Sequence, residues 1–186
     1  MKKFIKIALL LVAATCVSAT LFGGERKKPF LTIETVRVKG PAGKFVKRLN
    51  AAGFYTEGTD DGDVLMVGTW EDLRGTRLRV IGDVEGNVQS VSAYLPVGDD
   101  WHLMLQGYED IVARIGKKYG NPREEAFLFG DREGVLVNDT AKVLSLIRGT
   151  ADVHSEWILR DGAIRVSLRY GGGRYYVITD YIPEMQ

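Results

Sequence analysis

Two groups of strand-like segments constrain the fold of this chain more than any other feature. In the first group, the segments are residues 64–70, 74–81 and 88–95. In the second group, the segments are residues 153–160, 163–170 and 174–182. Connections as short as Glu71-Asp72 and Asp161-Gly162 separate the segments. Because connections of two residues join antiparallel neighbours, each group is predicted to form an antiparallel meander.

A helix is predicted before each group. Residues 44–52 carry Phe45, Val46 and Leu49 at helical spacing, and Gly53 ends this helix. Residues 103–119 carry apolar side chains at positions 104, 105, 108, 111, 112 and 115. The order of helix and then meander therefore occurs twice. We predict an α+β fold in which two helix-plus-meander repeats share a continuous antiparallel sheet with the helices packed on one face.

One domain is predicted over residues 31–182. Repeat one spans residues 31–98, beginning with a strand over 31–38, and repeat two spans residues 99–182. Residues 123–151 are interpreted as an insertion between the helix and the strands of repeat two. Its predicted contents are a strand at 126–129 and a short helix at 139–148, capped by Asn138 or Asp139.

The first nineteen residues have the layout of a secretory signal peptide. A lysine-rich start leads into a short apolar run at residues 5–12, and Val17-Ser18-Ala19 offers the small residues that a signal peptidase reads. Residues 20–30 contain Gly23-Gly24 and a charged run without an apolar period, so they are interpreted as a flexible tether. The protein is therefore predicted to be exported, either to a periplasm or out of the cell.

The only cysteine, Cys16, lies inside this signal, and two interpretations of it stay open. Cleavage after Ala19 would discard it. Alternatively, Ala13-Ala14-Thr15-Cys16 resembles a lipobox in which Cys16 becomes acylated, although the usual Leu and small residue before the cysteine are replaced. Contact with a membrane is predicted only if Cys16 is lipidated.

The charge balance disfavours nucleic acid as a partner. The chain has 25 Lys and Arg against 24 Asp and Glu, a net charge of +1. Removing the signal, with its lysines at positions 2, 3 and 6, leaves 22 basic residues and a net charge of −2. A nearly neutral chain is not strongly attracted to nucleic acid or to anionic lipid.

Patterns typical of catalytic or metal sites are not found in the sequence. The two histidines, His102 and His154, are far apart and lack metal-ligand spacing to each other. The sequence contains no G-x-S-x-G nucleophile elbow. We therefore predict no catalytic residue, no metal ion and no cofactor.

Strand alternation assigns the side chains of the sheet to two faces. If Asp161-Gly162 is a two-residue turn, Leu159 faces Ile164 and Trp157 faces Val166, and this apolar face is the core with Trp157 buried. The opposite face collects Arg and Tyr, which protein interfaces favour. The predicted partner-binding residues are Arg77, Arg79, Tyr94, His154, Arg165, Arg169, Arg174 and Tyr176. The alternative is a solvated face whose arginines pair with Glu156, Asp180 and their neighbours.

Two stretches resemble a known group of proteins. Lys117-Lys118-Tyr119-Gly120-Asn121-Pro122 resembles the K-Y-G-x-P helix end of small exported bacterial proteins of unknown function. Val38-Lys39-Gly40 through Gly53-Phe54 resembles their opening. Many of these proteins have β-lactamase-inhibitor-protein-like (BLIP-like) folds. Together with the repeated helix–meander order, the resemblance covers residues 31–182 and implies a sheet with one face free to bind a partner.

The functional prediction is an exported, non-catalytic binding or inhibitor-like module. It would recognise a protein or an anionic envelope component through an open sheet face rich in Arg and Tyr. One alternative is a periplasmic hydrolase that uses carboxylates without a recognisable motif. Another is a lipid-tethered envelope assembly factor, which depends on acylation of Cys16. The oligomeric state is left open.

Overall fold

The two predicted meanders join edge to edge in one nine-stranded sheet. The computed structural model describes residues 28–130, 132–134 and 137–184. The predicted signal peptide, Cys16 and residues 20–27 of the predicted tether lie outside the described residues. In chain order, the elements are β1 (Thr32–Ile33), β2 (Val36–Arg37), α1 (Ala42–Ala51), β3 (Tyr55–Asp60), β4 (Asp63–Trp70), β5 (Leu73–Gly82), β6 (Val88–Val97), α2 (Trp101–Tyr119), β7 (Glu124–Phe129), β8 (Arg132–Glu133), α3 (Asp139–Ile147), β9 (Ala151–Ile158), β10 (Gly162–Gly171) and β11 (Arg174–Pro183).

The strand order of the sheet is β3-β4-β5-β6-β11-β10-β9-β7-β8, and all neighbouring strands are antiparallel. The last strands of the two repeats, β6 and β11, pair with each other, with Ala93 opposite Thr179. This pairing makes the sheet continuous, so the predicted α+β fold is confirmed.

The helices cover one face of the sheet. Helix α2 packs across β6, β10 and β11, α1 packs on β3 and β5, and α3 packs on β7, β9 and β10. The apolar stripe of α2 lies in the core, with Met104, Ile111 and Ile115 buried. Asp100 accepts hydrogen bonds from the N–H groups of His102 and Leu103, so α2 begins two residues earlier than predicted. Within the described residues, no helix is both long enough and apolar enough to cross a membrane.

Strand β3 was not predicted from the sequence, and it changes how the repeats compare. Its sequence, Tyr-Thr-Glu-Gly-Thr-Asp, is polar and lacks apolar alternation because it is an edge strand with only one neighbour. With β3 included, each repeat has a helix followed by four strands, and β7 is the counterpart of β3. The insertion therefore begins after Phe129 rather than at residue 123. It contains β8 and α3, whose N-cap is Asn138.

The connection between β9 and β10 differs from the predicted two-residue turn. Ile158 pairs with Ala163, three residues lie between the end of β9 and the start of β10, and the register differs by two residues from the predicted one. The Asp161 carboxylate is engaged elsewhere, because it accepts hydrogen bonds from the Leu31 N–H at 2.7 Å and from Arg37 at 2.5 Å. A shift of two residues keeps every side chain on its face. Trp157 is accordingly buried at 2% exposure, as predicted.

The N-terminal segment packs on this connection. The predicted strand over 31–38 is a short hairpin of β1 and β2, in which Ile33 pairs with Val36. The Pro29 carbonyl accepts a hydrogen bond from the Arg160 N–H at 3.1 Å. The Phe30 ring lies 3.7 Å from the Arg37 guanidinium carbon. The end of the predicted tether is therefore attached to the domain.

We predict that Asp72→Gly stabilises the protein by about 0.5–1 kcal/mol. Glu71 and Asp72 form the two-residue turn between β4 and β5, and both have positive φ, 46° and 65°. This conformation strains an L-residue but not glycine, and the Asp72 side chain is exposed. Urea unfolding of Asp72→Gly and of the control Asp72→Ala measures the difference. An equal stability of the two variants would contradict the assigned strain.

Candidate functional site

The strand register places all eight predicted partner-binding residues on the face of the sheet opposite the helices. Arg77 pairs with Tyr94, and Arg169 pairs with Tyr176 in the neighbouring meander. Tyr94 and Tyr176 meet across the β6–β11 junction, because Tyr176 lies opposite Pro96 and Tyr94 opposite Ile178. We call this surface the open face. The sequence therefore grouped these residues on the correct side of the sheet.

The two arginines of the first meander are already neutralised by carboxylates. Arg77 Nε lies 3.2 Å from Glu57 Oε2. Arg79 Nε donates to Asp63 Oδ2 at 2.6 Å, and its Nη2 lies 3.6 Å from Asp60 Oδ2. Arg77 and Arg79 therefore fit the alternative given above, in which the arginines of this face are paired with carboxylates. The sequence did not predict these partners, since Glu57 and Asp60 belong to β3.

His154 is not accessible to a partner, which corrects its assignment as a contact residue. It is 4% exposed. Its Nδ1 lies 2.7 Å from Asp152 Oδ1 and 2.9 Å from Arg165 Nη2, between a carboxylate and a guanidinium. Its Nε2 lies 3.9 Å from Glu124 Oε1. His154 and Arg165 therefore belong to a polar cluster within the face, and Arg165 has a structural role there.

The remaining predicted residues form an accessible group, which we call the Tyr/Arg cluster: Tyr94, Tyr176, Arg169 and Arg174. The two tyrosine rings meet edge to face, with centroids 6.1 Å apart. Arg169 lies beside Tyr176 on the neighbouring strand, and Arg174 lies two residues before Tyr176 on the same strand face. Both arginines are exposed. Neither has an ion pair within 4.0 Å to any acidic residue that the structure describes.

A partly buried carboxylate lies next to this cluster. Asp180 accepts a hydrogen bond from Ser92 Oγ at 2.5 Å. Burial raises the pKa of Asp180 above its ordinary value of 3.8, while Ser92, Arg169 and Arg165 act in the opposite direction. The positive charge of Arg169 therefore favours the ionised form of Asp180, although the two side chains do not form an ion pair within 4.0 Å.

Asp180→Asn is expected to remove a contribution by which stability falls as the pH rises. A raised pKa means that the folded state binds the proton more tightly than the unfolded chain, so stability falls as the pH rises through the titration. The amide cannot ionise and can still accept from Ser92. Urea unfolding between about pH 4 and about pH 6 measures this slope. Asp110→Asn, on the exposed side of α2, is the control, and equal slopes in both variants would contradict the prediction.

Sequence reasoning missed one exposed aromatic residue of the open face. Tyr55 begins β3, is 68% exposed and pairs with Val67, on the same face as Arg77. The signal that could have revealed it is the turn Asp60-Asp61-Gly62-Asp63, because a two-residue turn before β4 requires an antiparallel strand before the turn.

Hydroxyl groups on the helix side of the sheet form a buried pair. Tyr108 Oη lies 2.7 Å from Ser155 Oγ, and Ser155 Oγ donates to Glu125 Oε1 at 3.3 Å. Burial raises the pKa of Tyr108 to about 12. Tyr108 and Glu125, but not Ser155, border a hollow of about 440 Å³ between α2 and β7, lined mostly by apolar side chains together with Glu109. Since Ser155 itself is fully buried, it is placed to satisfy Tyr108 rather than to meet a substrate.

Among residues 28–130, 132–134 and 137–184, no three His, Cys, Asp or Glu side chains converge to hold a metal ion. No protein-family model, curated protein or solved structure matches this chain. The resemblance to BLIP-like proteins therefore remains a prediction from the sequence motifs.

Proposed function

We propose that this protein is an exported, non-catalytic binding module that recognises an acidic surface of a protein partner through the Tyr/Arg cluster of its open face. The observation that carries the proposal is the Tyr/Arg cluster, where the two meanders meet and no helix of the described residues packs on this face of the sheet. It combines two edge-to-face tyrosines with two exposed arginines that lack ion pairs within the described residues.

The composition of the cluster supports recognition of a protein. Tyr and Arg dominate the residues whose truncation weakens protein interfaces, because they combine a large contact area with directed hydrogen bonds. Arg169 and Arg174 can each bind a carboxylate in a bidentate manner. Tyr94 and Tyr176 are half-buried before any partner binds, so little conformational entropy is lost when they make contact.

The rest of the open face would fix the orientation of a bound partner more than it would increase the affinity for that partner. Its ion pairs, Arg77 with Glu57 and Arg79 with Asp63, present charges of both signs beside the cluster. A partner must therefore place its acidic groups over Arg169 and Arg174 and keep them away from Glu57, Asp60 and Asp63. Charge complementarity of this kind sets the register of an interface more than its strength.

The test is a crosslinking capture from the native cell envelope with three forms of the full chain. The forms are the wild type, Arg169→Glu/Arg174→Glu on the open face, and Lys117→Glu/Arg148→Glu on exposed positions of α2 and the end of α3. Both double variants change the charge equally. We expect one partner to be captured by the wild type and by the helix-side variant, and to be lost from the open-face variant.

The captured partner is then purified and titrated against the same three forms. Its affinity should fall about a hundredfold or more for Arg169→Glu/Arg174→Glu, and binding of the wild type should weaken as salt is added. A partner that binds the open-face variant and the wild type equally would contradict the proposal. So would capture in which the wild type and open-face variant retain the same set of proteins.

A further inference from the structure

A group of basic side chains without ion pairs in the described part of the chain lies away from the open face, along α1 and the segment that leads into it. Lys39 follows β2, and Lys44 and Arg48 lie one turn apart on α1. Together with Gly40 and Pro41, these three side chains line a hollow of about 520 Å³. Lys47 adds a fourth cation on the same helix, and α1 contains no acidic residue.

The positions of these cations are partly fixed by the fold. Arg48 Nη2 donates to the Lys39 carbonyl at 2.9 Å, which holds the guanidinium beside the segment that leads into α1. Pro41 is the N-cap of α1 and offers no side-chain acceptor to the first turn. The Ala42 N–H donates to the Gly86 carbonyl at 2.9 Å, and Gly40 and Pro41 at the start of α1 line the hollow, so the positive end of the helix dipole adjoins it.

No acidic residue in the described part of the chain forms an ion pair with the basic side chains around this hollow. Lys39, Lys44, Lys47 and Arg48 have no ion pair within 4.0 Å inside the described ranges. Lys39 and Gly40 also line an adjacent hollow with the acidic residues Asp83, Glu85 and Glu184, where Asp83 Oδ1 accepts hydrogen bonds from the N–H groups of Glu85 and Asn87. Like charges one helical turn apart destabilise a helix, so the cluster is a cost to folding that an anion would relieve.

We infer that this hollow is a binding site for an anion of the phosphate class. A phosphate or diphosphate group presents several oxygens that can accept hydrogen bonds from Lys39, Lys44 and Arg48 at once. The site lies on the helix side of the sheet and is independent of the proposed partner surface. Its ligand can be a free phosphorylated compound or the phosphate of a lipid headgroup, since both offer the same chemistry.

The experiment uses the full chain and two probes. The first probe is inorganic pyrophosphate, titrated calorimetrically at constant ionic strength, with sodium sulfate and sodium chloride as comparison salts. The second is sedimentation with phosphatidylcholine vesicles, with or without phosphatidylglycerol. The variant is Lys44→Ala/Arg48→Ala, and the charge-matched control is Lys117→Ala/Arg148→Ala, which removes two cations from other exposed helix positions.

We expect pyrophosphate to bind the wild type and the control alike, and to bind Lys44→Ala/Arg48→Ala about tenfold or more weakly. The same loss with phosphatidylglycerol vesicles, but not with pyrophosphate, would assign the site to a lipid headgroup. Lys44→Ala alone keeps the hydrogen bond of Arg48 to Lys39 and should show an intermediate loss. If the wild type binds neither pyrophosphate nor phosphatidylglycerol vesicles, the inference is overturned. So does equal binding by all variants, or chloride competing as well as pyrophosphate.

Discussion

Gly162→Ala is expected to destabilise the protein by about 3 kcal/mol or more. Gly162 has a φ of 153°, which L-residues rarely adopt. A Cβ atom there would collide with the Ile182 carbonyl oxygen and would lie 2.9 Å from Pro183 Cα and from Leu31 Cδ2. Two of these three neighbours are backbone atoms of β11, so the clash cannot be relieved by rotating a side chain. The free energy of unfolding, measured in urea, tests this expectation.

Gly171→Ala is the matched control, because Gly171 lies at the other end of the same strand. A Cβ atom at Gly171 meets no atom within 4 Å, and its stability change should stay within about 0.5 kcal/mol. Similar unfolding curves for Gly162→Ala and Gly171→Ala would contradict the close packing of Leu31 and β11 against the β9–β10 connection.

The second large effect is expected for Arg165→Glu, which should lower stability by about 2 kcal/mol. Arg165 Nη2 lies 2.9 Å from His154 Nδ1 and 3.5 Å from Asp152 Oδ1. A glutamate at this position would leave the buried His154 without its guanidinium and would place a carboxylate near Asp152 and Asp180. The expected loss of stability is modest for a charge reversal, because Asp152 is 47% exposed and solvent screens its repulsion with the new glutamate.

Arg169→Glu is the control, since Arg169 occupies the same face of the same strand four residues away. Its side chain is exposed and has no ion pair within the described residues, so its stability loss should stay below about 1 kcal/mol. Thermal or urea unfolding of both variants compares them directly. If Arg169→Glu loses as much stability as Arg165→Glu, the division between a structural cluster and an accessible one is wrong.

The two faces of the sheet could be predicted from the sequence because side-chain alternation survives errors in register. The predicted register of β9 and β10 was wrong by two residues, yet Trp157 and Ile164 are both buried as expected. A shift of an even number of residues moves a side chain along its face and never through the sheet. The same property placed Arg77, Arg169 and Tyr176 on one side without knowledge of the turns.

The ion pairing and the burial of each residue on the open face could not be predicted from side-chain alternation. Arg79 and Arg169 have the same side chain on the same face, but only Arg79 meets a carboxylate, Asp63 of the adjacent strand. His154 looked as accessible as its neighbours in the sequence, and it is enclosed by Asp152, Arg165 and Glu124. These partners are not the directly paired residues, since Arg79 stands opposite Leu65 and His154 opposite Ser167, so the contacts depend on diagonal neighbours and side-chain orientation on the folded sheet.

Local patterns in the sequence therefore determined the helices, the seven strands β4 to β7 and β9 to β11, and the division of the sheet into two faces, because each depends on residues close together in the chain. Tertiary structure alone decided the pairing of β6 with β11, the edge position of β3 and the diversion of Asp161 from a tight turn to Leu31 and Arg37. The physical reason is that hydrogen bonds and ion pairs between distant segments form only after the segments pack, and their geometry is not encoded in any short window of the chain.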